Sequence, residues 1–258
     1  MPGLPVVQGV IDRRILANFR VDPVVLQKVL PPPFRPKLAH DWGMAGICLI
    51  RLRDIRPRLI PRFFGLRSEN AAHRIAVEWD TPEGPRQGVY VPRRDTTSKL
   101  NAFAGGRLFP GSQHLASFEV RETKKTFFVS LRSRDGATRV LVDAKLAERL
   151  PETSIFGSID EASAFFEAGS LGYSATSNAG EYDGMELHSF NWSVQPLEVT
   201  RVASSFFDDG NAFPKGSAVF DCALLMQAVD HQWRSRESLC CEQSAEAAPI
   251  RPRAPRIQ

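Results

Sequence analysis

Short apolar segments separated by turn residues recur along the chain, and this pattern limits the fold to one built mainly of strands. Segments rich in Val, Ile, Leu and Phe, bounded by Gly, Pro, Asp or Asn, predict β-strands. Asp135 and Gly136 form a two-residue hairpin signal, and residues 81–85 and 181–184 are also predicted turns. The last segment is almost continuously apolar, which is typical of a strand at the centre of a sheet. Strands are predicted at residues 11–21, 42–53, 72–79, 87–91, 115–121, 126–134, 138–142, 172–177, 186–194 and 218–229.

Three short helices are predicted between these strands. Asp22 is a suitable N-cap, and the proline after it suits the first position of a helix over residues 23–30. A Ser-x-x-Glu capping box opens a second helix over residues 158–168. A third is predicted over residues 96–104, where a Gly-Gly pair ends it. A few helices beside many strands predict an α+β, mainly β fold, built as a barrel or as a packed pair of sheets.

The composition changes near the end of the chain. Large apolar residues nearly vanish after Trp233, and Arg, Glu, Ser, Ala and Pro dominate. A segment that buries little apolar surface does not offset the entropy that ordering it would cost. We therefore predict one domain over residues 1–235 and a disordered tail over residues 236–258.

The overall composition excludes several classes of protein. The hydrophobic content of 43% and the charged content of 24% are ordinary for a globular chain. The net charge of +4 comes with scattered arginines, so no nucleic-acid partner is expected. No apolar run approaches the roughly 20 residues that span a bilayer, and no signal-peptide pattern is present, so no membrane partner is expected. The cysteines form no C-x-x-C pair, which favours a reducing cytoplasmic location without metal or cofactor.

The segment from Ala104 to His114 contains three glycines and one proline directly before a histidine. Glycine and proline bend the chain, so we predict a turn that faces a ligand. Histidine titrates near neutral pH, and His114 would therefore suit general acid or base catalysis. The alternative is a half-buried histidine that bonds a backbone carbonyl.

Several short motifs, together with that turn, carry a family resemblance. The motifs are Ile11-Asp-Arg-Arg-Ile15, Val21-Asp-Pro23, Leu30-Pro-Pro-Pro-Phe34, Ala45-Gly-Ile-Cys-Leu-Ile-Arg51, Ser68-Glu-Asn70 with Arg74, and Val91-Pro-Arg-Arg-Asp95. They resemble the YqjF-like family of bacterial proteins of unknown function, over about residues 10–233. That family is similar to the acetoacetate decarboxylase-like superfamily. The resemblance implies a cone-shaped β-barrel or double sheet with a small-molecule cavity.

The resemblance also implies a chemistry. In decarboxylases of this superfamily a lysine forms a Schiff base with a β-keto acid, and a second lysine and desolvation lower its pKa. Glu69 stands where the family has a cavity glutamate, and the cavity arginine matches either Arg20 or Arg13. Gly111 and Ser112 stand where the lysine pair would be. Neither can form an imine, so we expect no Schiff-base chemistry.

Other polar groups have structural explanations. Lys124 and Lys125 form the one lysine pair, but they lie in a polar link that is typical of a solvated turn, whereas a Schiff-base lysine needs an apolar pocket. Arg93 and Asp95 are interpreted as a structural ion pair. His73 either shares a wall of the site or is a core histidine.

We predict a single site at the barrel cavity. Glu69 and His114 are its predicted catalytic groups, and a nearby arginine would hold an anionic substrate. The predicted substrate-binding residues are Arg20, Asn70, Arg74, Arg107 and Ser112.

Two functions are consistent with such a site. The first is an enzyme that acts on a small keto acid or another organic acid by acid–base chemistry. The second is a non-catalytic protein that binds a small molecule in the same cavity. A hydrolase with a G-x-S-x-G elbow and a nucleotide-binding protein are both unsupported by motif. The choice between the two functions and the oligomeric state stay open at this point.

Overall fold

A computed structural model describes residues 6–99 and 111–240. This part of the chain contains two α-helices, α1 (Pro23–Val29) and α2 (Ile159–Glu167), and a 3-10 helix (Arg62–Phe64). Strands dominate, which confirms the predicted mainly β, α+β class. The strands are β1 (Val7–Val21), β2 (Arg35–Pro36), β3 (Leu38–Ala39), β4 (Trp42–Pro57), β5 (Leu66–Thr81), β6 (Gly84–Thr96), β7 (Gln113–Glu122), β8 (Thr126–Ser133), β9 (Arg139–Leu146), β10 (Leu171–Ala175), β11 (Glu181–Ser189), β12 (Gln195–Ser204) and β13 (Ala218–Cys240).

Seven strands close into a ring, which we call the barrel. β13 pairs with β1, β1 with β4, β4 with β5, and β5 with β6. β6 then pairs in parallel with β10, β10 with β11, and β11 with β13, which closes the ring. The strands β7, β8, β9 and β12 form a second sheet, joined to the barrel at β6 and at β13. The fold is thus both a barrel and a packed pair of sheets.

The barrel wall is buried on both faces, and each face has its own core. One core contains Leu16 and Cys48 with Phe166 of α2, and its members come from strands around the ring, so it fills the barrel interior. The other core contains Ile15 with Phe127 of β8 and fills the layer between the wall and the second sheet. Successive residues of β1 therefore point alternately into the barrel and towards the second sheet.

The predicted helix signals are present in the structure. The carboxylate of Asp22 accepts hydrogen bonds from the first turn of α1, including the backbone N–H of Val24. The hydroxyl of Ser158 accepts a hydrogen bond from the backbone N–H of Glu161 at the start of α2. α2 then buries Phe166 in the barrel core, so the capping residues direct this helix to the barrel interior.

Two predicted boundaries differ from the structure. The predicted turn at residues 181–184 lies inside β11, and the chain turns before it, where Gly180 has a φ of +76°. Glycine adopts this conformation without the steric cost that other residues have. The helix predicted over residues 96–104 overlaps β6 at Thr96, and residues 100–110 lie outside the described part of the chain.

β13 continues to Cys240, so the start of the predicted tail, residues 236–240, belongs to a strand. This segment pairs with β11, and Tyr182 lies opposite Leu239. The backbone of this segment pairs with β11, and Leu239 packs on the core that contains Ile15 and Phe127, which the scarcity of large apolar residues in the sequence did not indicate. Residues 241–258 lie outside the described part.

Residues 236–240 should contribute measurably to stability. A chain that ends at Ser235 loses the pairing with β11 that extends the closure of the barrel, whereas one that ends at Cys240 keeps it. We expect the shorter chain to melt several degrees lower, since about 1 kcal/mol corresponds to roughly 2–4 °C in a domain of this size. Calorimetry on both chains measures the difference. Equal melting temperatures would show that these pairs add nothing to stability.

His73 is a buried histidine in the layer between the barrel and the second sheet. Its side chain is almost inaccessible, its Nε2 lies 2.9 Å from the Ser204 hydroxyl, and its ring packs on Phe206. Burial, and next the positive charge of Arg93, lower the pKa of His73 to about 4. The imidazole is therefore neutral at pH 7, which agrees with the interpretation of His73 as a core histidine.

The buried neutral imidazole of His73 predicts a pH dependence of stability. Between about pH 4 and 6.5 the unfolded chain binds a proton that the folded protein excludes. The stabilisation is therefore complete above pH 6.5 and is lost as the pH falls towards 4, by at most about 1.4 kcal/mol per pH unit. His73→Gln should flatten this slope in urea titrations, whereas the same change at the exposed His188 should not. A slope that His73→Gln leaves unchanged would contradict the neutral buried imidazole.

Candidate functional site

A small cavity lies inside the barrel. Its volume is about 80 Å³. Most of its wall is apolar, and the polar side chains come from β5, β6 and the start of β7. Because the lining residues belong to strands on opposite sides of the ring, the cavity is internal to the barrel. The lining includes Ile50, Leu52, Asn70, Ala72, Arg94, Gln113, Met185 and Trp233.

Arg94 and Asp95 are the charged residues of this lining, and the carboxylate of Asp95 pairs with Arg93 at 2.9 Å. Two guanidinium nitrogens of Arg94 donate to the Ser174 hydroxyl, at 3.3 and 3.2 Å. Among the described residues Arg94 has no Asp or Glu partner, and residues 100–110 include no acidic residue. Desolvation lowers the pKa of Arg94 to about 10, so the group remains a cation at pH 7. The guanidinium is thus a positive charge that no described carboxylate neutralises.

Two further arginines lie on the interior face of the barrel. Arg14 donates from Nε to the Cys48 sulfur at 3.3 Å. Arg74 donates to the Asn18 side-chain oxygen, and its guanidinium lies 5.0 Å from the centroid of the Phe166 ring. Burial lowers the pKa of Arg74 to about 10. Neither arginine pairs with a carboxylate in the described ranges, so the barrel interior has an excess of positive charge.

Gly46 makes the contact between Arg74 and Asn18 possible. The three residues lie opposite one another on β5, β4 and β1. A Cβ at Gly46 would lie 2.5 Å from the carbonyl oxygen of Ala17 and 3.3 Å from the Asn18 side-chain oxygen. Glycine is therefore required at this close approach, because any side chain would block the path of Arg74 across β4.

The barrel interior also holds a thiol and an imidazole. Cys48 is 7% exposed and lies beside Arg14. His231 is 1% exposed, and its ring centroid lies 4.3 Å from that of Trp233. Burial lowers the pKa of His231 to about 4. A hydrogen bond with the backbone of Val229 partly offsets this lowering. The ring packs on Trp233, which lines the cavity, so a neutral imidazole lies beside the cavity lining without belonging to it.

Glu69 belongs to an ion-pair network outside the barrel interior. Its carboxylate accepts from Arg13 at 2.7 Å and from Arg51 at 2.5 Å. Both guanidiniums also bond to Glu122 of β7, with Arg51 at 2.7 Å. Burial lowers the pKa of Arg51, but the hydrogen bonds and charges of the two carboxylates outweigh this and raise the pKa overall. The network joins β1, β4 and β5 to the second sheet.

His114 lies in a second ion-pair network in the same layer. Its Nδ1 is 3.1 Å from a carboxylate oxygen of Asp135, which also pairs with Arg93 at 2.8 Å. Arg93 in turn pairs with the buried Asp95 at 2.9 Å, as predicted for a structural ion pair. A hydrogen bond from Ser133 is the largest of several effects that hold the pKa of Asp135 well below its usual range.

The residues of the predicted site are therefore divided between two compartments. Glu69 of β5 and His114 of β7 lie in the layer between the barrel and the second sheet, whereas Asn70 and Arg74 face the barrel interior, because successive residues of a strand point to opposite faces. Arg74, one of the predicted substrate-binding arginines, therefore does not share a face of β5 with Glu69. The arginine of β1 that contacts Glu69 is Arg13, the alternative that the resemblance left open.

Two of the other predicted binding residues, Arg20 and Ser112, are not among the residues that line the cavity. Arg20 is neutralised by Asp221 at 3.2 Å and donates to the carbonyl of Thr153 at 2.7 Å. It therefore neither contacts Glu69 nor offers a free charge. Ser112 is exposed. Arg107 lies outside the described residues. Their predicted roles in binding stay predictions.

Gly111, the first position aligned with the lysine pair, has a φ of +73°. A Cβ there would lie 2.6 Å from the Ser174 Cβ, so a lysine would be strained at this position. The lining of the cavity includes no lysine. The lysines of the chain are Lys28, Lys37, Lys99, Lys124, Lys125, Lys145 and Lys215.

Arg94 and Arg14 were not among the residues predicted for the site. The signal was present in the alternation of a strand: Arg93 and Asp95 are two residues apart and share a face, so Arg94 between them must point the other way. The same reasoning separates Arg14 from Arg13.

The described ranges contain no group of three His, Cys, Asp or Glu side chains placed to hold a metal ion. A helix long and apolar enough to cross a membrane is likewise not found in those ranges.

A sequence profile of the DUF2071 family, an uncharacterized conserved protein, matches residues 11–225. The match covers most of the chain and confirms the family-level resemblance. No curated protein matches the chain.

The fold is similar to that of acetoacetate decarboxylases. The enzyme from Legionella pneumophila is 14% identical, with a TM-score of 0.59 over 91% of this chain and 88% of its own. An acetoacetate decarboxylase-like enzyme from Sphingomonas wittichii RW1 is 10% identical, with a TM-score of 0.54 over 93% of each chain. The enduracididine biosynthesis enzyme MppR, solved with pyruvate, is 9% identical, with a TM-score of 0.58 over 93% and 91%. At such identities the likeness establishes a shared fold.

The network around Glu122 should be a stabilising feature. Glu122→Gln leaves Arg13, which is 2% exposed, and Arg51 to share the carboxylate of Glu69. We expect a loss of about 1–3 kcal/mol in the free energy of unfolding, because a buried charged group loses a partner. Glu119→Gln on the same strand breaks only an exposed pair and should cost less than about 0.5 kcal/mol. Equal losses in urea titrations of the two variants would show that the network around Glu122 does not stabilise the fold.

Proposed function

The chain belongs to the DUF2071 family and has an acetoacetate decarboxylase-like fold, and on this basis we propose that it binds a small organic acid inside the barrel. The observation that carries the proposal is Arg94, a desolvated guanidinium without a described acidic partner beside a cavity. A carboxylate complements a guanidinium because two parallel hydrogen bonds join them. An unpaired cation in a protein interior is unfavourable, and a bound anion would offset that cost.

The rest of the cavity suits a short carbon chain. Gln113 offers an amide group, whereas the amide of Asn70 is bonded to Ser68 and Thr96, and Trp233 belongs to a largely apolar wall. A volume of about 80 Å³ admits only a small molecule, since one water takes about 30 Å³ in the liquid. The charges of Arg14 and Arg74 raise the potential of the interior and favour anions over neutral compounds.

Keto acids are the class of organic acid that we favour. MppR, which has a similar fold, was solved with pyruvate and with a condensation product of pyruvate. Pyruvate is a small keto acid with one carboxylate, and it therefore matches both the size of the cavity and the single guanidinium on its lining. We propose a small keto acid, or an organic acid of similar size, as the ligand.

A catalytic role is the second candidate, and His231 is the observation that favours it. His231 is a neutral imidazole beside Trp233 of the cavity lining, and its ring nitrogen that does not bond the Val229 backbone can accept a proton from a bound acid. Such a reaction would proceed without an imine, because the cavity lining includes no lysine. In this proposal Glu69 and His114 hold the two sheets together rather than contact the substrate. A binding protein without catalysis needs Arg94 but not His231.

Arg94→Met should abolish the binding of pyruvate. We expect pyruvate to raise the melting temperature of the native protein, because a ligand that binds only the folded state stabilises it. The variant should show no such shift, since the apolar side chain cannot pair with a carboxylate. Its melting temperature without ligand should be equal or higher, because a desolvated charge has been removed. Differential scanning fluorimetry with and without pyruvate measures both effects.

Arg86→Met is the matched control, because Arg86 lies on the same strand and is largely exposed. It should respond to pyruvate as the native protein does. A panel of short monocarboxylates and keto acids extends the test. The proposal fails if no acid of the panel raises the melting temperature of the native protein. It also fails if the acids raise the melting temperature of Arg94→Met as much as that of the native protein. Turnover that His231→Gln abolishes, while binding is kept, would select the enzyme over the binding protein.

A further inference from the structure

The segment between β4 and β5 holds large apolar side chains in solvent. Leu59 is 94% exposed, Phe63 is 90% exposed and Phe64 is 65% exposed. Ile60 and Leu66 are exposed beside them. We call these five side chains the apolar crest. Single exposed apolar residues are ordinary, but a contiguous group of this kind marks an interaction surface.

The crest is built on a fixed backbone. Asp54 has a φ of +58°, and its Cα would lie 2.5 Å from a Cβ at Gly65, so the end of the segment packs directly on β4. Arg62 donates to the Asp54 carboxylate at 2.8 Å, and Arg56 donates to the carbonyl of Ile60 at 3.0 Å. These bonds use polar groups to anchor the segment and leave its apolar side chains pointing outwards.

Cationic side chains surround the crest. Arg56, Arg58, Arg62 and Arg67 all lie within the twelve-residue segment 56–67, which contains no acidic residue. Two of them have carboxylate partners outside the segment, Arg62 in Asp54 and Arg67 in Asp12. Neither Arg56 nor Arg58 has one among the described residues. We call these four arginines the arginine collar. With only two described carboxylate partners, the collar carries a net positive charge.

A polar cavity opens beside this collar. Its volume is about 370 Å³, and it is lined by Arg56 and Arg62 together with Gln8, His231, Gln232 and the exposed ring of Phe190. Asp230 also lines it and is its one carboxylate. The two arginines lie at the edge of the cavity and close to the protruding aromatic rings. Their guanidiniums can therefore donate hydrogen bonds to an anionic group while the rings enter an apolar phase.

We propose that this face binds the surface of an anionic phospholipid membrane. The crest inserts at the boundary of headgroups and acyl chains, where aromatic and aliphatic side chains are favoured. The arginine collar then contacts lipid phosphates, and the cavity of Arg56 and Arg62 takes one headgroup phosphate. The net charge of +4 for the whole chain acts in the same direction.

The charge of the collar decides between a membrane and a second copy of the chain. Two copies packed crest to crest would bring two cationic collars together, which is unfavourable. A lipid surface with negative headgroups has the complementary charge. The sequence predicted no membrane partner because no apolar run could span a bilayer. A peripheral crest needs only a few apolar residues and leaves no such run.

The test is co-sedimentation of the full chain with vesicles. Vesicles of phosphatidylcholine mixed with phosphatidylglycerol should bind the protein, and vesicles of phosphatidylcholine alone should bind it much less. The double substitution of Phe63→Ser with Phe64→Ser, and separately Arg58→Glu, should each weaken binding by about tenfold or more. Val24→Ser and Arg149→Glu change similarly exposed residues elsewhere and should leave binding unchanged.

Three results would overturn the proposal. The first is no binding to the mixed vesicles. The second is equal binding to both kinds of vesicle, which would remove the role of the arginine collar. The third is an oligomer, detected by light scattering, that the double phenylalanine substitution dissociates, because the crest would then be an interface between copies. If the protein binds inorganic phosphate but not the mixed vesicles, the proposal is also overturned. Melting temperatures of the variants verify that each is folded.

Discussion

A strand that is buried on both faces sends alternate side chains into two compartments, and β1, β4 and β5 do this along most of their length. Arg13 points to the second sheet and pairs with Glu69, whereas Arg14 points into the barrel and has no such partner in the described chain. A slip of one residue in the register would exchange the two sets of side chains. The cavity, the ion-pair network and the packing of the second sheet all depend on this register.

The buried arginines serve two different physical purposes. Arg13 and Arg51 each contact both Glu69 and Glu122, so their charges are compensated within the protein. Such a network contributes little net energy after desolvation, but breaking it is costly, and it therefore specifies how the two sheets align. Arg94 contacts only a hydroxyl among the described residues. No carboxylate among the described residues compensates its charge.

Local features of the fold could be predicted from the sequence, whereas the composition of the site could not. The caps of both helices at Asp22 and Ser158 and the turn at Gly136 follow from the chemistry of a few neighbouring residues. The pairing of β13 beyond Arg234 with β11 is a long-range contact with no local signal. The family resemblance identified the fold, but it assigned Glu69 and its neighbour Asn70 to one site. The side chains of adjacent strand residues point to opposite faces, and only the register shows which of the two points into the barrel.

The barrel arginines and the apolar crest are places where this chain departs from the rules that stabilise ordinary domains. A desolvated cation without a carboxylate and a phenylalanine that is 90% exposed both cost free energy in the isolated protein. In each case the backbone holds the unfavourable group in place. Strand pairing holds Arg94, and the contact of Gly65 with Asp54 holds the segment of the crest. A frame that holds groups in an unfavourable environment is explained when a partner removes the cost. The chemistry of the two places differs, since one lacks an anion inside the barrel and the other lacks an apolar phase outside it. The two proposed partners therefore differ, and the binding of each can be tested without the other.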